Sequence, residues 1–341
     1  MVRFFTLFLA MYCDSERDLM TLKAVVTGGA GFMGSSLCAA LAIKGWDVTI
    51  FDNLTVGSRE NVNSILRDAD ESRIHLVVGD CTQLVGVQRA TRDCDAIFHF
   101  AANPEARIEL NDPRECFRQN VIATHNVLES FRESKANLIV FPSTSAVYGR
   151  AKILPTREDY APLEPISVYG ASKLADEAMV SAYCHSFDKQ GIILRFVNVL
   201  GPRSTHGVVS DFVRRLRNNP NELSILGDGT QNKSYLYIDD CVKAIQSSVD
   251  SAKAPVEVFN VGSEDQIDVE GIARTIVDTI GLKNVRFRFV GGPGDGSGWV
   301  GDVKNMLLDI SRLKLRGWKP MHNSQESIRL TVKCLLETKP I

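Results

Sequence analysis

Short, unbroken apolar runs recur along the first two-thirds of the chain, and each stops at a glycine or a polar residue. Residues 24–26 lead into Thr27-Gly28-Gly29-Ala30-Gly31-Phe32-Met33-Gly34, and helical character then continues to Lys44. Residues 47–51 stop at Asp52, 75–78 at Gly79-Asp80, and 96–100 at Ala101-Ala102. Residues 138–141 run into Pro142-Ser143-Thr144-Ser145. Helical spacing covers 113–135, a second helix is expected over 169–188, and 192–197 form a further run before Asn198. A strand with one wet face alternates apolar and polar positions; these do not, so both faces are covered. Strand and helix in regular succession predict an α/β fold, a doubly wound parallel sheet of Rossmann type.

Past Asn198 the rhythm breaks into Gly- and Pro-rich stretches, and residues 256–260 read as a strand returning to the main sheet. The expected division is 21–198 for the Rossmann domain, with 235–262 returning to it. Residues 199–234 and 263–341 make a smaller C-terminal lobe. The 341 residues are 44% hydrophobic and 23% charged, with a formal net charge of -2. So even a balance gives no electrostatic basis for a nucleic-acid or membrane-surface partner. The eight cysteines are scattered without Cys-x-x-Cys spacing, which reads as reduced, buried thiols in a cytoplasmic protein with no metal site. Residues 1–20 stand apart. Their apolar run, 4–13, is too short to span a bilayer, and Asp14, Glu16, Arg17 and Asp18 follow it instead of a cleavage site. They read as a disordered extension or a mis-assigned start, with Met20 as the true first residue.

The chemistry begins at the glycines. Gly28, Gly31 and Gly34 follow a strand and open a helix, the setting of a dinucleotide-binding turn in which backbone amides approach a pyrophosphate. Asp52 ends the next strand, where a carboxylate accepts from an adenosine ribose hydroxyl and disfavours a 2′-phosphate, so NAD is expected over NADP. Asp80 also ends a strand and either faces the adenine or caps the following helix. Tyr169 and Lys173 are four apart, hence stacked on one helix face, where a cation favours the phenolate and makes tyrosine a usable base. Alone, such a pair is an ordinary solvated helix face. With a hydride acceptor upstream it is a candidate for oxidising a hydroxyl.

The joint pattern is more specific. Gly-x-x-Gly-x-x-Gly with Tyr-x-x-x-Lys, Asp52-Asn53-Leu54, His99-Phe100-Ala101-Ala102, Ser143-Thr144-Ser145-Ala146-Val147-Tyr148-Gly149 and Gly227-Asp228-Gly229 resembles the extended short-chain dehydrogenase/reductase superfamily. Within it the chain looks most like nucleotide-sugar 4-epimerases. The resemblance implies that Tyr169 takes the proton from the sugar 4-hydroxyl while hydride leaves C4 for NAD. Lys173 would lower the pKa of Tyr169 and hold the nicotinamide ribose, and Thr144 would hydrogen-bond the same oxygen. It further implies cofactor contacts at Gly28, Gly31, Phe32, Met33, Asp52, Asn53, Asp80, Cys81, Ala101 and Ala102. Substrate contacts would fall to Arg107, Ser145, Asn198, Arg203, Val208 and Lys233. A nucleoside-diphosphate sugar, UDP-linked by default, is the implied ligand, and a homodimer built on 113–135 and 169–188 the implied assembly.

Two departures bear on the reaction. Dehydratases of this resemblance carry Asp-Glu after the hydroxyl residue, and decarboxylases a Glu where this chain has Ala146; Ser145 and Ala146 cannot do acid/base work. Epimerisation is therefore expected, with dehydration, decarboxylation and 4-ketoreduction as alternatives. A dinucleotide-sensing regulator would have no need of Thr144, Tyr169 and Lys173 together. Lys233 stands where an arginine commonly grips the diphosphate, losing the bidentate fork, and Arg203 or Arg107 is the candidate to compensate.

Overall fold

The computed structural model describes residues 21–67, 70–107, 112–204 and 206–338. The reading of the N-terminal extension lies outside the described residues. Strands β1 (Lys23–Thr27), β2 (Asp47–Asp52), β3 (Ile74–Val78), β4 (Ala96–His99), β5 (Leu138–Thr144), β6 (Gln190–Phe196) and β11 (Val256–Val261) form a seven-stranded sheet, parallel throughout. Its order is β11-β6-β5-β4-β1-β2-β3. The winding reverses between β1 and β4, and a doubly wound sheet opens its ligand crevice at such a point, beyond the strands' carboxyl ends.

Consecutive side chains on each strand feed two different cores. Val26, Ile50, Phe98, Val140 and Leu194 pack with α1 (Phe32–Ile43) and α2 (Arg59–Leu66). Their neighbours Val25, Phe51, Ile97, Ile139 and Ile193 pack with α3 (Leu84–Thr91), α5 (Ala123–Glu133) and α6 (Val168–Ser186). This double burial is why the strand sequences are apolar at every position. β5 runs further than its apolar stretch, through Pro142 to Thr144. β4 pairs with β5 only as far as Val140, so the missing N–H of Pro142 disturbs no ladder on that side.

The helix expected over 113–135 has an interruption. Helix α4 (Pro113–Phe117) passes through a π turn at Arg118–Ile122 into α5, which ends at Glu133. The widened turn buries Asn120, whose side chain donates to Ser172 Oγ (2.8 Å) and accepts from the Asn103 N–H (2.7 Å). A side chain that needs partners on two other segments selects the wider turn, and periodicity cannot show that.

The smaller lobe has its own core of Leu200, Phe212, Ile225, Ile272, Ile276, Ile328 and Val332. It gathers α7 (Val208–Asn218), α9 (Val269–Ile280) and α10 (Ser324–Thr338) around short strands. β8 (Glu222–Leu226) pairs with β13 (Arg286–Val290), and β9 (Asn232–Lys233) with β12 (Ile267–Asp268) and β14 (Asn305–Met306). β7 (Asn198–Leu200) and β10 (Tyr235–Tyr237) pair at the junction, after which α8 (Ile238–Ser251) and β11 return the chain to the sheet. Among the described residues no helix is long and apolar enough to cross a membrane.

Candidate active site

The glycine turn is built by backbone contact. Gly28 has φ +68, and a Cβ there would lie 2.5 Å from the Ala101 amide nitrogen. At Gly34 a Cβ would run into the Gly28 carbonyl. Gly31 caps α1 without any side-chain oxygen, so Phe32 and Met33 present the first-turn backbone at the crevice. Opposite, the buried Asp52 carboxylate accepts from the N–H groups of Ala30 (2.9 Å) and Leu54 (2.8 Å), which fixes its orientation at the end of β2. Asn53 donates to Asp80 across 3.5 Å, and Asp80 accepts from the Thr82 N–H at 2.8 Å. Burial pushes the Asp80 carboxyl up, but the Thr82 and Asn53 hydrogen bonds outweigh it and hold the group below the usual carboxylate range. The Cys81 thiol is buried and pushed up to about 12, so it is a small apolar wall. A cradle that only glycine permits, closed by an oriented carboxylate, fits a dinucleotide. Gly34→Ala is expected to weaken NAD binding by about 10- to 100-fold, on the order of 1.4–2.8 kcal/mol. Fluorescence titration reads this, and an unchanged affinity would show that the loop is no cradle.

Across the crevice, Thr144 closes β5 and caps the 3-10 turn Ser145–Tyr148 by accepting from the Ala146 N–H at 3.2 Å. Ser167 caps α6, accepting from the Gly170 N–H at 3.0 Å. That cap sets Tyr169 in the first turn, with Thr144 near enough to its hydroxyl to favour the phenolate. Lys173, one turn on, is buried with its Nζ 3.8 Å from the centroid of the Phe141 ring. The sequence predicts that the cation lowers the tyrosine. In the protein alone burial dominates: it pushes the Tyr169 hydroxyl up to about 12, the nearby Thr144 opposing, while the Lys173 ammonium is pushed below its ordinary value.

Beneath this group lie residues that spacing did not single out. Glu177, on the next turn of α6, forms a buried ion pair with Arg195 of β6 (2.7 and 3.0 Å) and accepts from Ser143 (2.5 Å). Arg195 also donates to the Tyr148 hydroxyl (2.9 Å), which donates to Asn260 of β11 (2.7 Å). His99 is buried between the hydroxyls of Thr27 (2.7 Å) and Thr124 (2.9 Å), and burial together with Lys173 pushes its pKa down to about 3. It is a neutral strut between β1, β4 and α5.

The expected substrate residues are dispersed between the two parts of the chain. Ser145 is buried behind Thr144, Asn198 is exposed after the end of β6, and Val208 is the half-buried first residue of α7. Arg107 is paired with Glu105 (3.0 Å) and lies 3.8 Å from Asp211. Arg203 donates to Ser36 (2.6 Å) and Ser64 (3.3 Å) on α1 and α2. Lys233 forms an ion pair with the buried Asp302, 5.1 Å from the centroid of the Trp299 ring. All three cations therefore already have protein partners.

This arrangement matches a known family over most of its length. The NAD dependent epimerase/dehydratase family model covers residues 24–262. The chain belongs to that family. A putative UDP-glucose 4-epimerase of Methanocaldococcus jannaschii is 31% identical over 90% of this chain and 96% of its own length. Among solved structures, a UDP-galactose 4-epimerase superposes with a TM-score of 0.82 at 39% identity, covering 93% of this chain and 100% of that one. A Thermus thermophilus UDP-glucose 4-epimerase in complex with NAD gives 0.80 at 29% identity, covering 92% and 99%. As in the rest of the NAD dependent epimerase/dehydratase family, the cofactor of this chain is NAD.

Proposed function

We propose that the chain interconverts the C4 epimers of a nucleoside-diphosphate sugar, UDP-glucose and UDP-galactose by default. The observation that carries this reading is Thr144 at the end of β5 beside Tyr169, with the buried Lys173 one helical turn behind it and the glycine cradle at the same crevice. Gly28, Gly31, Phe32, Met33 and Ala101 hold NAD at the turn, with Asp52 and Asn53 at the adenosine ribose and Asp80 and Cys81 toward the adenine. NAD bound there would supply the hydride-transfer chemistry. Tyr169 accepts the proton of the sugar 4-hydroxyl and gives it back after the sugar presents its other face. Thr144 orients that oxygen and passes the proton, and Lys173 stabilises the phenolate.

The positions that follow Thr144 carry no carboxylate for elimination. Ser145 and Ala146 follow Thr144, and Glu177 is occupied by Arg195 and Ser143. That favours reversal over dehydration or decarboxylation. Residues 199–234 and 263–341 make the substrate lobe, where Arg203, Val208 and Lys233 meet the nucleotide, while Asn198, Ser145 and Arg107 reach from the Rossmann domain. We assign a homodimer packed through 113–135 and 169–188, where Phe117, Ile122 and Phe187 are exposed, in the cytoplasm. The seven described cysteines are all free, as a reducing compartment requires.

Incubation with UDP-, GDP-, CDP- and dTDP-sugars without added NAD, read by chromatography, tests the assignment. Conversion of one 4-epimer into the other is expected. Loss of water or of carbon dioxide, or a need for stoichiometric reductant, would replace it with one of the sister reactions.

A further inference from the structure

α6 carries a second buried acid beside the one that binds Arg195. Asp176 is fully buried, and neither of its carboxylate oxygens has a hydrogen-bond partner. An unpaired carboxylate in such a place costs free energy unless a charge or a proton compensates it. The neighbour on its own helix face is Lys173, one turn earlier, also buried and likewise without a salt-bridge oxygen within 4.0 Å among the described residues. Each is the natural compensation of the other.

The remaining groups around the pair are already engaged or uncharged. Glu177 is bound to Arg195 and Ser143. From β4, His99 faces Lys173 as a neutral ring. From α5, the Thr124 hydroxyl faces Asp176 but is held by His99 at 2.9 Å. From α4 comes the buried Cys116 thiol, whose Sγ lies 3.7 Å from Ser172 Oγ, and from β5 the Phe141 ring. Tyr169 is the remaining titratable group that feels Asp176.

We propose that Asp176 is a positioning residue for the reaction: a buried counter-ion that keeps Lys173 charged and so sets the pH range in which the Tyr169–Lys173 pair works. The inference rests on the 4-epimerase reading above. Its sign follows from the charges. Asp176 favours the ammonium, so removing its charge lets burial deprotonate Lys173 at lower pH. The same negative charge opposes the phenolate, so its removal lets Tyr169 ionise at lower pH while Lys173 is still charged. Both limbs of the bell-shaped turnover profile therefore move in the same direction.

Asp176→Asn is expected to displace the turnover profile toward acid by about one pH unit or more, so that wild-type and variant curves cross. Asp176→Glu is expected to restore it. Coincident profiles, or a uniform loss of activity with no displacement, would overturn the proposal. A second readout needs neither turnover nor a stable variant of Asp176. In ε-13C-lysine-labelled wild type, the Lys173 signal, assigned by its absence from Lys173→Arg, is expected to titrate with a second ionisation superimposed from Asp176. A single unperturbed titration of Lys173 would refute the coupling. If wild type converts no sugar while the NMR coupling is present, the epimerase reading fails and the charge pair stands.

Discussion

Tyr169→Phe is expected to reduce turnover by about 10²- to 10⁴-fold, the usual contribution of a positioned acid/base, while NAD affinity and thermal stability stay near wild type. The substitution removes only the hydroxyl beside Thr144, and the ring keeps its place in the first turn of α6. The pH dependence sharpens the test. Because burial pushes the hydroxyl up to about 12 in the protein alone, the phenolate is the minor form at neutral pH, and wild-type turnover falls as the pH falls. The residual activity of the variant has no such dependence. Turnover of Tyr169→Phe within tenfold of wild type would remove the tyrosine from the chemistry.

Glu177→Ala is expected to have the largest effect on stability. Both ends of the pair are 6% exposed, and the carboxylate is the counter-charge of Arg195 as well as the acceptor of Ser143. Removing one member of a buried pair leaves the other charge uncompensated, a loss of about 3–5 kcal/mol. A shift of the urea midpoint with unchanged slope reads it. Replacing both charges, Glu177→Leu with Arg195→Met, is expected to recover most of the loss, since no orphan charge then remains. An unchanged midpoint in the single variant would mean that water reaches Arg195 and the pair is not structural.

What could be read from the chain alone follows from how local each signal is. The glycine turn, Asp52 and Tyr169 with Lys173 are encoded within a few residues of each other, and so are the apolar strands. Asp176 and Glu177 are adjacent in sequence to that motif, yet nothing local separates a buried unpartnered acid from an ordinary helix-surface one. Arg195, Tyr148 and Asn260 come from three further segments, and only the sheet order brings them to Glu177. The π turn depends on Asn120 finding Ser172 and Asn103. Lys233 reads as a diphosphate contact from the motif alone because its partner, Asp302, lies 69 residues further along the chain. The direction of the Tyr169 shift was missed for the same reason: proximity to a cation is visible in a motif, desolvation is not.

Asn260 has a consequence for how the chain must be made. Its side chain accepts from Tyr148 and donates to the carbonyls of Thr156 (2.9 Å) and Asp309 (3.0 Å), and its own N–H reaches Glu158 (2.9 Å). It sits on β11, which reaches the sheet only after the first part of the lobe has been synthesised. On the ribosome, everything through β6 can emerge with the cofactor turn and the Tyr169 helix already translated. Until β11 docks, β6 remains an open sheet edge, a site for wrong pairing with another chain. The catalytic half is thus translated early but closed late, and a product truncated before Val256 would be an aggregation hazard instead of a slow enzyme.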